Sequence, residues 1–335
     1  MRLASLHEEL FLKPSSTSYN PAHHYFAVGT ASATFLLLLA GALVTSNDAG
    51  LAVPDWPTSF GHWPITYHYW ARTQMVGGVF YEHGHRLVAQ FVGILTIVLA
   101  VWTWRVDPRR WMKRLGFWAL AGVIVQGILG GLTVLFFLPP WVSTAHATLA
   151  QTFFVAVIAM ALFTSRGWVE SPPLELRDAG RPGTRTLVAL ALGSVYLQLI
   201  LGAAFRHSAI KLLPHLIGAV VVTVAVLWAV TRVLRDHGTV SQLRRPAQLL
   251  LGLIVAQLSL GFGAYLTRVE WGKDAPQPLL PMVVTTVAHL GVGALLLAVA
   301  AVLALQARRH MAPGKLAPAA ERSNERADSR RAVTA

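Results

Sequence analysis

The chain has no cysteine among its 335 residues. Disulfides, iron–sulfur clusters and thiolate chemistry are therefore excluded. Charge is scarce as well. Only 13% of residues are Asp, Glu, Lys or Arg, against about 25% in an ordinary soluble domain. Acidic residues are the rarer sign, 15 against 28 basic, which leaves a formal net charge of +13. A nucleic-acid-binding domain would gather such charge on one folded face. Here the basic residues lie in short stretches between long apolar runs, so no nucleic-acid partner is expected.

What the chain has in abundance is hydrocarbon. Hydrophobic residues make up 54% of it, and the mean hydropathy is +0.52. Eight apolar runs, at about 27–46, 76–104, 115–137, 141–165, 186–205, 213–234, 247–267 and 282–306, each approach the ~20 residues that cross a bilayer. Backbone groups in lipid must pair within their own segment, so these runs are expected to be helices. The fold class is an all-α integral membrane protein. Thr30 to Val44 has the look of a signal-peptide core, but Glu8 and Glu9 precede it, and it is read as an uncleaved first span.

Positive charge sets the expected orientation. The loops 105–114, 166–185 and 232–245 and the two termini hold 22 of the 28 basic residues. That places both termini on the cytoplasmic side of a cell inner membrane. The long loop 46–74 then lies outside. Its Trp56, Trp63, Tyr67, Tyr69 and Trp70 fit either an aromatic belt at the membrane surface or a lid over a site, and the two readings are compatible.

A repeat runs through the odd spans. Gln126-x-x-Leu129-Gly130, Gln198-x-x-Leu201-Gly202 and Gln257-x-x-Leu260-Gly261 are matched in the first span by Leu37-x-x-Ala40-Gly41, without the glutamine. The small residue permits close helix approach. Each even span carries a histidine near its start. The repeat divides the chain into a cytoplasmic segment 1–26, a four-helix half 27–165, a linker 166–185, a second four-helix half 186–306 and a disordered tail 307–335, the two halves being pseudo-symmetric bundles.

The four histidines lie at one depth. His85 is 20 residues from Arg105, His146 is 20 from Arg166, His215 is 17 from Arg232 and His289 is 19 from Arg308. At 1.5 Å per residue each is roughly 26–30 Å from the inner boundary, close to the outer face. A lone histidine at a helix end is usually an interfacial side chain. Four in register, one per even helix, point instead to ligation. Parallel diagonal helices would aim imidazoles at each other in pairs, which suits a flat macrocycle with two axial ligands. The residues thus suggest two heme sites, His85/His146 and His215/His289. Zinc and non-heme sites fit less well without cysteines or a matching set of carboxylates. His62, His68, His83 and His207 are read as solvated loop or interface residues.

The halves differ in one respect. Glu82 stands one turn before His85, whereas Leu212 and Leu213 precede His215. Glu82 is either the partner of Arg86, four residues on, or a carboxylate doing chemistry beside a heme. A transmembrane electron carrier would place its hemes near opposite faces, and a transporter would show polar breaks near the midplane. Neither pattern is present.

Glu82-His83-Gly84-His85-Arg86 resembles the E-x-x-H-R motif of the heme A synthase family, and Gly50-Leu51-Ala52-Val53-Pro54-Asp55-Trp56-Pro57 resembles the first outer loop of its bacterial members. The resemblance spans nearly the whole chain outside the tails. It implies oxidation of a ring methyl of heme O to the formyl of heme A, by successive hydroxylations with oxygen from water, for cytochrome oxidase assembly. It also implies substrate heme between His85 and His146, a heme b cofactor between His215 and His289, and a catalytic role for Glu82. Arg86, Arg72 and Arg206 are candidates to pair with propionates. Implied partners are heme O, membrane lipid, a heme O synthase, cytochrome oxidase assembly proteins and further copies of the chain. The alternative is a non-catalytic diheme b-type membrane cytochrome carrying electrons. One departure stands out: many bacterial members carry a cysteine pair where this chain has Val53 and Ser59.

Overall fold

Long apolar stretches satisfy their own backbone only as helices, and the computed structural model, which describes residues 18–70, 75–178, 180–275 and 277–311, is built from them. The elements in chain order are α1 (Pro21–Ser46), α2 (Pro64–Trp70), α3 (Gly77–Val106), α4 (Arg110–Leu135), α5 (Pro140–Thr164), α6 (Arg166–Glu170), α7 (Thr184–Arg206), α8 (Leu212–His237), α9 (Ser241–Ala264), a π-helical turn (Tyr265–Glu270) and α10 (Leu280–His310). Among the described residues, eight helices are long and apolar enough to cross a membrane, the seventh being α9 with its π-helical extension.

The helices outrun the apolar runs at their polar ends. α1 begins at Pro21, inside the segment expected to precede the first span. Asn20 caps it, its side chain accepting from the His23 amide at 3.1 Å, and Pro21 is preset for a first helical turn. α9 begins at Ser241 and carries Pro246 within it. Residues 1–17 and 312–335, which include most of the expected tail, lie outside the described residues.

Packing runs both within and across the expected halves. Ala27, Ala31, Val92, Leu99, Ala119, Phe153, Val157 and Met160 form one core from α1, α3, α4 and α5. Leu187, Val226, Leu250, Leu297 and their neighbours form another from α7 to α10. Leu38, Phe154, Ala294 and Ala298 join α1, α5 and α10 at a seam between them.

At the arginine-rich end the expected linker is tied down. Arg309 stacks 4.3 Å from the Trp168 ring centre and donates to the Ser171 carbonyl. The Leu176 amide donates to the His310 carbonyl at 2.6 Å. Arg109 forks onto Asp107, with contacts of 2.9 and 2.6 Å. These bonds fix the helix ends opposite the four histidines.

Candidate functional site

The four repeated glycines and the four histidines meet one to one. A Cβ built on Gly41 would lie 3.1 Å from His85 Cε1, and one on Gly130 would lie 3.1 Å from His146 Cε1. The same construction gives 2.9 Å from Gly202 to His215 and 2.9 Å from Gly261 to His289. Each imidazole therefore presses its Cε1 edge against the bare backbone of the preceding odd helix. The glycine was expected to serve helix approach in general; its specific task is to seat a ring.

The glutamines of the repeat complete three of these seats. Gln126 Nε2 donates to the His146 carbonyl at 2.9 Å and lies 3.4 Å from the ring. Gln198 Nε2 donates to the His215 carbonyl at 2.9 Å and lies 3.0 Å from Nδ1. Gln257 Nε2 is 3.4 Å from the His289 ring. His85 faces the Leu37 carbonyl instead, at the position where the first repeat lost its glutamine. Among the described residues, His85, His146 and His289 each keep a buried Nδ1 without a hydrogen-bond partner. Buried polar atoms are seldom left so without a reason.

Two of the rings lie close together. His215 and His289 have centroids 6.4 Å apart and planes at 88°. Two metal–imidazole bonds of about 2.0 Å, with about 1.1 Å more from each nitrogen to its ring centre, put coaxial ligand centroids about 6.2 Å apart. The pair thus fits an iron held from both sides. Phe205 stacks on the His215 ring at 6.5 Å and 12°. A groove of 390 Å³ lies beside this seat, lined by Leu197, Gln198, Leu201, Leu213 and Pro214 among others. His85 and His146 lie within electrostatic range of one another, and His207 reaches His146 in the same way.

Glu82 is buried and held at both oxygens. Val53 N–H donates to Oε2 at 2.7 Å, and Arg86 Nη2 donates to Oε1 at 2.6 Å. The expected ion pair with Arg86 is therefore present, but it is half of a larger clamp. Arg86 also donates to the carbonyls of Asp55 and Thr58, both at 2.7 Å, and of Val53 at 3.1 Å. Arg86 was a candidate for a propionate; as placed, its terminal nitrogens face the loop. Arg206 is half-buried and donates to the Thr45 carbonyl at 2.6 Å. Arg72 lies outside the described residues.

His83 corrects an expectation. It is expected as a solvated loop or interface residue, yet it is 0% exposed. Its Nδ1 lies 3.2 Å from Ser59 Oγ, and Tyr67 meets its ring edge-on at 5.0 Å. His62 is exposed as expected, and the side chain of His68 is outside the described residues. His207 is half-buried, and burial followed by the nearby Arg206 pushes its pKa down to about 4.

The loop 47–63 is itself ordered by Asp55. Its carboxylate accepts from Thr58 Oγ at 2.5 Å, from Phe60 N–H at 2.6 Å and from Gly61 N–H at 2.9 Å. Burial works against ionisation here, but the bonds from Gly61, Thr58 and Phe60 outweigh it and hold the pKa below the usual carboxylate value. Further along, the Trp56 indole covers Gly131, where any Cβ would overlap it, and Leu138 packs under Gly50. The loop thus spans from Glu82 and Arg86 on α3 to Gly131 on α4, next to the glycine that seats His146. Val53 and Ser59, the positions of the missing cysteines, are both 0% exposed and are both gripped by the Glu82–Arg86 turn.

Comparison with known proteins gives one family and a set of relatives. The COX15-CtaA model, described as cytochrome oxidase assembly protein, matches residues 24–213. That stretch holds Glu82, His85 and His146 and stops just before His215. A protein named Heme A synthase from Symbiobacterium thermophilum is 31% identical over 267 residues, 70% of this chain and 83% of its own length. One of the same name from Lysinibacillus sphaericus is 34% identical over 140 residues, 41% of this chain and 43% of its own length. A third, from Halalkalibacterium halodurans, is 27% identical over 188 residues, 55% of this chain and 59% of its own.

Proposed function

The chain belongs to the heme A synthase (COX15-CtaA) family, and from that premise we propose that it oxidises a ring methyl of heme O to the formyl group of heme A for cytochrome oxidase assembly. Each of two hydroxylations takes one oxygen from water and releases two protons and two electrons. The resulting gem-diol loses water to leave the formyl group. The substrate heme lies between His85 and His146, in the half 27–165. The half 186–306 carries His215 and His289, which would hold heme b. When bound, that heme supplies an iron able to pass electrons singly to an acceptor.

The observation that carries this reading is an asymmetry within a repeat. All four histidines sit on glycine seats, but among the described residues only the first pair has a buried carboxylate one turn away. A carrier of electrons needs no such carboxylate. Loss of hydride or of successive electrons from a methyl group builds positive charge on its carbon. The Glu82 carboxylate stabilises that charge and accepts a proton from the attacking water. Two fixed bonds, from the Val53 amide and from Arg86, spare it reorganisation during the step. The loop 47–63 excludes bulk water from the same end.

The orientation proposed from the basic residues puts this end at the outer face, with both termini cytoplasmic. Arg206 and Arg72 remain the candidates for propionates, with Arg86 given over to the loop. The test is expression with and without a heme O supply, followed by extraction and identification of the hemes. Heme A should form only with the supply. Heme A absent at normal protein level, with heme O provided, would overturn the reading.

A further inference from the structure

Arg206 follows Gly202 by four residues, so it stands on the same face of α7 about one turn, roughly 6 Å, beyond the seat of His215. The corresponding positions after Gly41, Gly130 and Gly261 are Thr45, Val134 and Tyr265. The cation is therefore peculiar to one repeat. Arg268 lies in the π-helical turn Tyr265–Glu270 that extends α9 beyond the seat of His289. Such turns are rare and often occur at functional sites. Arg268 lies in electrostatic range of Arg206, with Asp48 as the acidic group in range. Among the described residues neither arginine forms an ion pair. Arg206 donates to the Thr45 carbonyl, and Arg268 Nη1 lies 3.8 Å from Met282 Sδ, a weak acceptor.

Two half-buried guanidiniums within electrostatic range of each other at the end of a hydrocarbon bundle repel, and an anion between them relieves the repulsion. The planar fork of each suits a carboxylate. We propose that Arg206 and Arg268 form a carboxylate-binding pair that fixes one propionate of the heme held by His215 and His289. This rests on the heme reading given above. The pair sits outward of both seats, where the edge of a macrocycle between those rings would present its acidic groups. It gives the second half an anchor that the first half lacks at the equivalent positions.

The experiment measures heme affinity and midpoint potential on the full purified chain, with protoheme and with its dimethyl ester. With protoheme, Arg206→Gln and Arg268→Gln should each weaken binding about 10- to 100-fold, the range for a charge-assisted hydrogen bond. Both should lower the midpoint potential, because a neighbouring positive charge favours the reduced heme less once removed. Arg206→Lys should recover part of the potential, since it keeps the charge and loses the fork. With the ester, wild type and variants should bind alike.

Unchanged affinity and potential in both glutamine variants, with the bis-histidine spectrum intact, would overturn the pair. So would equal losses with protoheme and ester. A third contrary outcome is loss of thermal stability alone, restored by anionic lipid, which would assign the pair to a lipid phosphate. Failure of the underlying heme reading looks different: wild type would show no low-spin heme that is lost on His215→Ala.

Discussion

The Val53 amide lies 2.7 Å from Glu82 Oε2, so the backbone of the long loop is bonded directly to the buried carboxylate of α3. Arg86, one turn further along α3, holds the other oxygen and the Val53 carbonyl. Loop and carboxylate are thus one unit. A disulfide or dithiol between positions 53 and 59 is absent from this chain, and a polar clamp grips both positions instead.

His83 should prove structural to that unit. His83→Ala removes the Ser59 contact and the edge of Tyr67 from a fully buried site. The expected cost is about 2–4 kcal/mol, combining a cavity with a lost hydrogen bond. His62→Ala, at an exposed position, should stay within about 0.5 kcal/mol of wild type. Thermal unfolding in detergent and proteolysis of the loop measure both. Equal stability of the two variants would remove His83 from the clamp.

Glycines on α4 should separate cleanly. Gly130→Ala drives a methyl into the His146 ring, whereas Gly127 has nothing within 4 Å of its Cβ position. Gly127→Ala should be neutral or stabilising by up to about 1 kcal/mol through helix propensity. Gly130→Ala should displace the imidazole and reduce substrate heme occupancy by roughly 10-fold at similar protein level, on the scale of 1–3 kcal/mol for overpacking. The same logic gives Gly202→Ala a loss of low-spin heme signal from His215/His289. A Gly130→Ala protein with wild-type heme content would show that the seat is not needed.

Much of this was readable in advance. Hydropathy places the eight spans because lipid forces each into a helix of a fixed minimum length. It misses their ends: α1 starts at Pro21 and α9 at Ser241, since turns beyond hydrocarbon carry no apolar signal. The Gln-x-x-Leu-Gly register was visible, yet the glycine's task was not. Gly41 and His85 touch across two helices, and nothing local to either marks the other. His83 was misread for a related reason. Its burial depends on Ser59 and Tyr67 in an irregular loop that has no period to read.

Asp55 gives the loop a pH dependence. Its pKa is below the ordinary 3.8 in the folded protein, so its bonds to Thr58, Phe60 and Gly61 stabilise the loop fully above that value. The contribution fades as pH falls below 3.8 and is gone once the folded pKa is passed. Loop proteolysis by an acid-active protease should therefore rise steeply below pH 3.8 in wild type. In Asp55→Asn it should be elevated throughout and flatter with pH. Matching profiles for the two proteins would remove Asp55 as the cause.

Glu82 and Arg86 can be told apart by substitution, because they share a bond and differ in charge. Glu82→Gln keeps an oxygen for the Val53 amide and loses the bond from Arg86, whose remaining bonds to the Val53, Asp55 and Thr58 carbonyls should keep the loop closed, so heme O should still bind at His85/His146. It removes the charge that would stabilise a cationic carbon and accept a proton. Heme A should then fall by roughly 100-fold or more, the usual scale for a lost general base, and a hydroxylated intermediate should accumulate if the second oxidation is the more sensitive step. Arg86→Gln keeps the Glu82 charge but loosens Val53, Asp55 and Thr58 together. Its effect should fall on stability and substrate retention, with the remaining folded protein still forming heme A. Arg86→Lys should recover part of the stability, having the charge without the fork. Extraction of hemes from membranes supplied with heme O, at equal protein, reads all three variants. Near-normal heme A in Glu82→Gln would leave Glu82 as a structural anchor for the loop and remove it from the chemistry.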